Sequence, residues 1–261
     1  MYRLLVADID GTLLGPTHRI EPEAFQAVSL ARANGLEVTL ATGRAYPATL
    51  WVAKALGIVA PFVCAGGATI CDTQGRVWRD LTLGPVVIRE VIASLPAEVD
   101  VVAFTHQKAF ASSASESVNR YSSALGMEFE VTCPLIVADQ GVRVLAVRGK
   151  PEVIGALSQQ LMQGYSDVAE VERVLPHMVE IRAKGASKRD GLHHLVQVLE
   201  VPMEEVIAVG DGLGDVGMVA SAGFGVAVAN SCEPLKACAR YVARNPHYLG
   251  VLEAVKLLCA S

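Results

Sequence analysis

Short apolar runs alternate with amphipathic helical patterns at both ends of this chain. Five runs are predicted to be buried strands, at positions 4–7, 38–41, 62–65, 206–209 and 224–228. One helical pattern begins at Pro22 and ends at Gly35, and another begins at Lys188 behind Ser187, a candidate N-cap. Apolar strands separated by helices are typical of a parallel sheet that helices cover on both faces. The pattern therefore predicts an α/β fold.

The middle of the chain, at about 82–183, has a different pattern. Helical stretches at 86–95, 118–125 and 153–162 mix there with strands at 99–104, 142–147 and 179–182. This mixture predicts a second, α+β domain inserted into the first, with crossings near Leu83 and Lys184. The predicted division is a core formed by residues 1–82 and 184–261, and an insertion formed by residues 83–183.

The composition excludes several classes of protein. Hydrophobic residues make up 52% of the chain and charged residues 19%, which is typical of a packed globular protein. The net charge of −5 argues against non-specific nucleic-acid binding. No apolar stretch approaches the roughly 20 residues of a membrane span, and the N-terminus does not resemble a signal peptide. With six cysteines and no C-x-x-C pair, we expect a cytoplasmic protein with reduced thiols; its oligomeric state stays open.

Candidate catalytic residues follow the predicted core strands. Asp8 and Asp10 follow the first strand, Thr42 the second and Asp211 the fourth. Parallel strands place their carboxyl ends at one edge of the sheet, so these side chains are expected to converge. The run DIDGT at positions 8–12 has four informative positions that recur by chance in roughly one window in 10⁵. An acidic turn would explain one aspartate and the glycine, but not two acids directly after a buried strand.

Clustered carboxylates at this edge would need a cation. At an effective dielectric constant of 20, two carboxylates about 4 Å apart repel by about 4 kcal/mol. A hard divalent ion with oxygen ligands, Mg²⁺, removes that cost. Asp211 and Asp215, four residues apart among glycines, either ligate a metal or form a turn, and the preceding strand favours the metal. One carboxylate can attack phosphorus while a second protonates the leaving oxygen.

Two further motifs suit a phosphate group. Thr42, Gly43 and Arg44 lie between a strand and a helix, where a hydroxyl and a free amide can bind phosphate oxygens. An ordinary threonine N-cap is the alternative. Lys188 lies in the first turn of its helix, where a positive charge opposes the helix dipole. A neighbouring phosphate and carboxylates would explain a lysine at this position.

These motifs together resemble the haloacid dehalogenase (HAD) superfamily, and in particular its Cof-type, class IIB-like phosphatases with a large inserted cap. The matching runs lie at positions 8–13, 41–44, 184–188 and 210–218. The resemblance implies a Rossmann-like core with an α/β cap, and it implies a role for each motif residue. Asp8 would be the nucleophile and Asp10 the acid/base, Thr42 and Lys188 would hold the phosphoryl group, and Mg²⁺ would bind Asp8, the Asp10 carbonyl and Asp211, supported by Asp215.

The function expected from these residues is a magnesium-dependent phosphatase. It would hydrolyse a small phosphorylated metabolite, with sugar phosphates as the class that the resemblance favours, through an aspartyl-phosphate on Asp8. Two alternatives stay open: a phosphomutase or phosphotransferase of the same superfamily, and a weakly active regulatory homologue that binds a phosphorylated ligand.

Two glycines depart from the family pattern. Gly66 and Gly214 stand where the family has asparagine. A lost hydrogen bond to a charged group is worth about 1.5–3 kcal/mol, which corresponds to roughly 10–150-fold in kcat/KM. We therefore expect Gly214→Asn to accelerate hydrolysis of simple phosphate esters, unless the substrate or another residue already fills the gap.

Overall fold

The computed structural model describes residues 1–259. Its strands, β1 to β14 in chain order, are Leu4–Ala7, Glu37–Leu40, Phe62–Cys64, Thr69–Cys71, Val77–Asp80, Asp100–Phe104, Ala109–Ala111, Phe129–Val131, Val144–Arg148, Ala169–Leu175, Met178–Ala183, Val206–Gly210, Phe224–Ala227 and Tyr241–Val242. Its α-helices, α1 to α9, are Pro22–Ala33, Tyr46–Ala55, Pro85–Ser94, Glu116–Leu125, Pro151–Tyr165, Lys188–Leu199, Val216–Ser221, Glu233–Cys238 and His247–Cys259.

A five-stranded parallel sheet forms the first layer, in the order β14-β13-β12-β1-β2. Its strands are apolar on both faces because helices cover both: α1, α2 and α9 pack on one side, and α6 and α7 on the other. In register, Ala7 of β1 lies opposite Leu40 of β2 and Val209 of β12. Three strands therefore end at one edge, and the predicted α/β class is confirmed.

A second sheet of six strands, in the order β10-β11-β9-β6-β7-β8, is drawn from residues 100–183. Its pairs are antiparallel except β7 with β8. One face packs on α3 and α5. The opposite face, with α4, packs against small core side chains that include Ala45 and Ala68. Both faces are buried, so β9 and β11 contain no exposed position that would mark a surface strand.

A three-stranded antiparallel sheet, β3-β4-β5, connects the two layers. The run at 62–65 was expected to be a further buried strand; it forms β3, and Val63 bridges Ala41 in parallel beside β2. The turn after β3 places Gly66 beside the loop that follows β2. The N–H of Gly66 donates there to the Thr42 carbonyl at 3.0 Å. No helix among residues 1–259 is both long and apolar enough to cross a bilayer.

Candidate active site

A buried ion cluster lies at the carboxyl end of β1. Asp8 directly follows that strand and is 4% exposed. Lys188, the first residue of α6, donates from Nζ to Asp8 Oδ1 at 2.7 Å and to Asp215 Oδ1 at 2.6 Å. The helix starts here because the Ser187 hydroxyl accepts the N–H of Asp190, as the N-cap prediction required. The cluster explains why a cation occupies the first turn of this helix.

Three carboxylates in this cluster could hold a metal ion. One oxygen from each of Asp8, Asp211 and Asp215 lies within 4.8 Å of the others. Asp215 is fixed because its Oδ2 accepts the N–H groups of Asp211, at 3.1 Å, and Gly212, at 2.9 Å. Asp211 Oδ1 accepts the hydroxyl of Thr12 at 3.1 Å and forms no ion pair within residues 1–259.

The charge balance of this cluster favours the binding of a cation. Burial raises the pKa of Asp8 well above its usual value, and Asp215 and Asp211 add to the effect while Lys188 opposes it. Burial and the neighbouring Asp215 raise the pKa of Asp211 to about 6. Burial lowers the pKa of Lys188, but Asp215 and Asp8 outweigh it and raise that pKa. One lysine among three acids leaves uncompensated charge, and an all-oxygen donor set fits Mg²⁺.

Asp10 forms a separate pair. Arg44 donates from Nε to Asp10 Oδ2 and from Nη2 to Asp10 Oδ1, both at 2.7 Å, and His18 Nδ1 lies 3.4 Å from Oδ1. Burial raises the pKa of Asp10, but the hydrogen bonds from Arg44 and His18 outweigh it and hold that pKa well below its usual value. The Asp10 carboxylate thus lies outside the three-carboxylate cluster. The Arg44 guanidinium binds the Asp10 carboxylate, and the contact of Arg44 with phosphate stays a prediction.

Thr42 and Gly43 lie at the same edge, after β2. Thr42 is buried, and its hydroxyl oxygen accepts the N–H of Arg44 at 3.1 Å. The hydroxyl hydrogen is therefore available to a phosphate oxygen. The structure brings all eight predicted site residues to one region, but it divides their carboxylates between two groups.

The two unusual glycines face three charged residues of the second sheet, which we call the charged triad: Glu172, Glu180 and Arg182. A Cβ atom at Gly66 would lie 2.6 Å from Arg182 Nη1, and one at Gly214 would lie 3.1 Å from Glu172 Oε1. Arg182 donates from Nη1 to Glu180 Oε2 at 2.8 Å and from Nη2 to Glu172. The space that a larger residue would need is therefore occupied by the triad.

A cavity of about 1470 Å³ separates the edge of the parallel sheet from the second sheet. Core carboxylates line one side, and side chains from α4, β9, β10 and β11 line the other. Sequence reasoning missed the second group. A signal was present in β11, where Glu180 and Arg182 alternate with Val179 and Ile181 in a strand that is otherwise apolar.

Other contacts to the site were also missed. Thr12 was part of the recognised DIDGT run, but its bond to Asp211 was not foreseen. Asn230 follows β13 and donates from Nδ2 to the carbonyl of Gly11 at 2.9 Å. Gly11 has a φ of +80°, and a Cβ there would lie 2.2 Å from Asp211 Oδ2. A glycine is required because only its backbone can approach the carboxylate so closely.

Comparisons with known proteins identify the family and support the fold of this chain. The sequence pattern of the haloacid dehalogenase-like hydrolases matches residues 5–255. Phosphatase YwpJ of Bacillus subtilis is 26% identical, over 98% of this chain and 99% of its own. HMP-PP phosphatase of Serratia proteamaculans is 26% identical, over 90% of this chain and 87% of its own. A solved haloacid dehalogenase-like hydrolase from Bacteroides thetaiotaomicron superposes with a TM-score of 0.89 at 22% identity, covering 99% of this chain and 100% of that one.

The chain belongs to the haloacid dehalogenase-like hydrolases, so the resemblance that its four motifs indicated is confirmed. Both of the curated relatives above are named as phosphatases.

Proposed function

We propose that this protein is a Mg²⁺-dependent phosphatase that acts on a small phosphorylated metabolite through an aspartyl-phosphate on Asp8. The observation that carries the proposal is the buried cluster in which the oxygens of Asp8, Asp211 and Asp215 lie within 4.8 Å of one another beside Lys188. A carboxylate that is buried among other carboxylates stays ionised only with added positive charge, which a metal and a lysine would supply.

We assign a residue to each step of the proposed reaction. Asp8 attacks phosphorus, so that an Asp8–phosphorus bond forms as the ester bond breaks. The Lys188 ammonium, the Thr42 hydroxyl and the Gly43 amide bind the phosphoryl oxygens. Mg²⁺, held by Asp8, Asp211, Asp215 and the Asp10 carbonyl, would neutralise the charge of the acids and the phosphoryl group.

Asp10 carries the proton in both halves of the cycle. It gives a proton to the departing alkoxide, and it then takes one from the water that attacks the phosphoryl group and frees Asp8. Arg44 binds both Asp10 oxygens and favours the carboxylate. The carboxylate is the form that the second half requires, so we assign Arg44 to orienting Asp10 there. The first half requires the protonated acid, so the proposal includes opening of the Arg44–Asp10 pair before Asp10 gives its proton.

Sugar phosphates are the substrate class that we propose. The cavity is larger than a small metabolite needs, and its lining includes hydroxyl and carboxylate groups such as Ser115, Ser117 and Glu116 that can bind sugar hydroxyls. The name of the Serratia relative points to HMP-PP as a second compound to test. The cysteines of the described chain are free thiols, which supports the cytoplasm as the compartment.

The experiment is an assay with an aryl phosphate, with Mg²⁺ and with chelator, followed by mass spectrometry of acid-quenched enzyme. We expect activity only with Mg²⁺ and a phosphoryl adduct on Asp8. Full activity in chelator, or an adduct consistently elsewhere, would refute the mechanism. Transfer to added acceptor alcohols in place of hydrolysis would favour the phosphotransferase alternative. Binding of phosphate esters without turnover would favour the regulatory one.

Residues 83–183 are proposed to be a cap that covers the site and moves relative to it. Support comes from the cavity between the two layers and from the contact of Trp51 in α2, whose Nε1 donates to the Leu125 carbonyl of α4 at 3.3 Å. In a Trp78→Phe variant, Trp51 is the only tryptophan left to report on this contact. We expect orthovanadate to protect Trp51 from acrylamide quenching. Unchanged quenching with vanadate bound would argue against cap movement.

A further inference from the structure

Arg148, the last residue of β9, is a buried cation without a carboxylate partner. It is 6% exposed and lines the cavity. The other cations of the site, Arg44, Arg182 and Lys188, each pair with one or two acids. Within residues 1–259, Arg148 forms no ion pair within 4.0 Å.

The neighbours of Arg148 position it but do not neutralise it. Its Nη1 donates to Met178 Sδ at 3.0 Å and its Nε to Ser117 Oγ at 3.4 Å. Its guanidinium carbon lies 4.3 Å from the centre of the Tyr121 ring. Nη2 donates to none of the residues that the structure describes. The Tyr121 ring and the Met178 thioether fix the plane of the guanidinium, so its remaining N–H groups can donate to a ligand in the cavity.

Two acids that line the same cavity and act on the charge of Arg148 already have partners. Asp100 accepts the hydroxyls of Ser113 and Ser115, at 2.5 and 2.6 Å. Glu180 is bound by Arg182. Burying a guanidinium without a hydrogen-bonded anion is unfavourable, and burial lowers the pKa of Arg148. An anion bound in the cavity would remove this cost.

Helix α4 runs from the site at Arg148 to the Arg44–Asp10 pair, so its length gives the distance between them. Arg148 contacts Ser117 and Tyr121, while the carbonyl of Ala124 lies 3.5 Å from Nη2 of Arg44, which holds Asp10. At 1.5 Å per residue, Ser117 and Ala124 are separated by about 10 Å along the helix axis. The site at Arg148 is therefore about one small metabolite's length from the acid/base.

We propose that Arg148, supported by Tyr121 and Ser117, binds a second anionic group, a carboxylate or a phosphate, at the far end of the substrate. The inference rests on the proposed phosphatase function and narrows its substrate class. The preferred substrates are phosphate monoesters of small polyols that carry another anionic group, and neutral sugar monophosphates are poorer substrates.

Two matched pairs of compounds test this. Glucose 6-phosphate and 6-phosphogluconate differ at C1, and fructose 6-phosphate and fructose 1,6-bisphosphate differ by one phosphate. In each pair we expect kcat/KM to be higher for the compound with the second anion, by about 10- to 150-fold in the better pair. Arg148→Gln should abolish the preference, with a much larger loss of kcat/KM on the compound with the second anion than on the aryl phosphate, and Arg148→Lys should keep part of the preference.

Arg89→Gln is the control, because Arg89 is an exposed cation of α3 that pairs with Asp139 and is not among the residues that line the cavity. It should keep the preference. Wild-type enzyme that hydrolyses aryl phosphate but shows no preference in either pair overturns the inference and leaves the proposed function intact. An equal loss on all substrates in Arg148→Gln also overturns it.

A binding measurement separates the two proposals if no turnover is found. The Asp8→Asn protein is titrated by calorimetry with both members of each pair. Tighter binding of the compound with the second anion, lost in Asp8→Asn/Arg148→Gln, supports the inference even where the phosphatase proposal fails. Equal affinities overturn it. If Arg148→Gln does not fold, the wild-type ratio and Arg148→Lys decide.

Discussion

The two sheets present their charged groups in different ways. In the parallel sheet, Asp8, Thr42 and Asp211 follow the last residues of β1, β2 and β12 and meet at one edge. In the second sheet, Glu180 and Arg182 lie within β11 and point from its face. Groups at strand ends sit on loops that can wrap around a metal and a phosphate. Groups on a face are held rigidly by the sheet and suit the recognition of a substrate's shape and charge.

The two groups also differ in how their charges are balanced. Both acids of the charged triad contact Arg182 directly. In the core, Lys188 contacts Asp8 and Asp215, while Asp211 contacts no cation within the described chain. The triad is therefore expected to be a structural unit in the absence of any ligand, and the core cluster to depend on a bound cation.

The largest effects are expected from the core acids. Asp8→Asn removes the proposed nucleophile and should leave no detectable turnover. Asp10→Asn should lower kcat by about 10²–10⁴-fold, the usual contribution of acid–base catalysis. Initial rates on an aryl phosphate measure both. The control is Asp139→Asn, which changes an exposed acid of the proposed cap and should alter neither the rate nor the adduct. Activity in Asp8→Asn equal to the wild type would exclude Asp8 as the nucleophile.

Arg182→Met tests whether the triad is a structural unit. It leaves Glu180 and Glu172 without their cation, and removing one partner of a buried pair costs about 3–5 kcal/mol in the free energy of unfolding. Urea denaturation measures it. Arg89→Met breaks the exposed pair with Asp139 and should cost less than about 1 kcal/mol. Equal losses in the two variants would show that the triad adds no more than a surface pair.

The smallest effects concern the two glycines, and they differ from each other. Gly66→Asn collides with the Arg182 guanidinium and should cost about 1–3 kcal/mol in the free energy of unfolding. Gly214→Asn meets only the end of Glu172, whose side chain is 27% exposed, so it should cost less. The new amide would lie against the Glu172 carboxylate. We therefore now expect no gain in kcat/KM from Gly214→Asn, in contrast to the expectation from sequence alone.

A double-mutant cycle checks the origin of the Gly66 effect. If the collision with Arg182 is its cause, Gly66→Asn should cost less in an Arg182→Met background, by a coupling energy of about 0.5–3 kcal/mol. Additive costs would place the strain in the backbone, where Gly66 has a φ of +62°.

Steady-state kinetics of Gly214→Asn on an aryl phosphate test the second glycine. A clear increase in kcat/KM would support the expectation from the sequence alone.

The sequence predicted the core more fully than the second sheet. The strand at 4–7, the helix that begins at Pro22 and the helix that begins at Lys188 have the predicted starts. Strands β7 and β8, of three residues each, and the β3-β4-β5 sheet as a unit were missed. Such short segments carry too little periodicity, and their pairing depends on partners elsewhere in the chain. The boundaries at 82–83 and 183–184 stay a prediction.

The sequence by itself determined which residues reach the catalytic edge, because buried parallel strands must end together and the polar residues follow their last positions. Only the tertiary structure decided how those residues are grouped. In the folded protein Lys188 binds both Asp8 and Asp215, and Arg44 binds Asp10. The charged triad occupies the space beside Gly66 and Gly214. Each of these contacts joins residues far apart in sequence, and no local pattern encodes which distant side chain will occupy a given space.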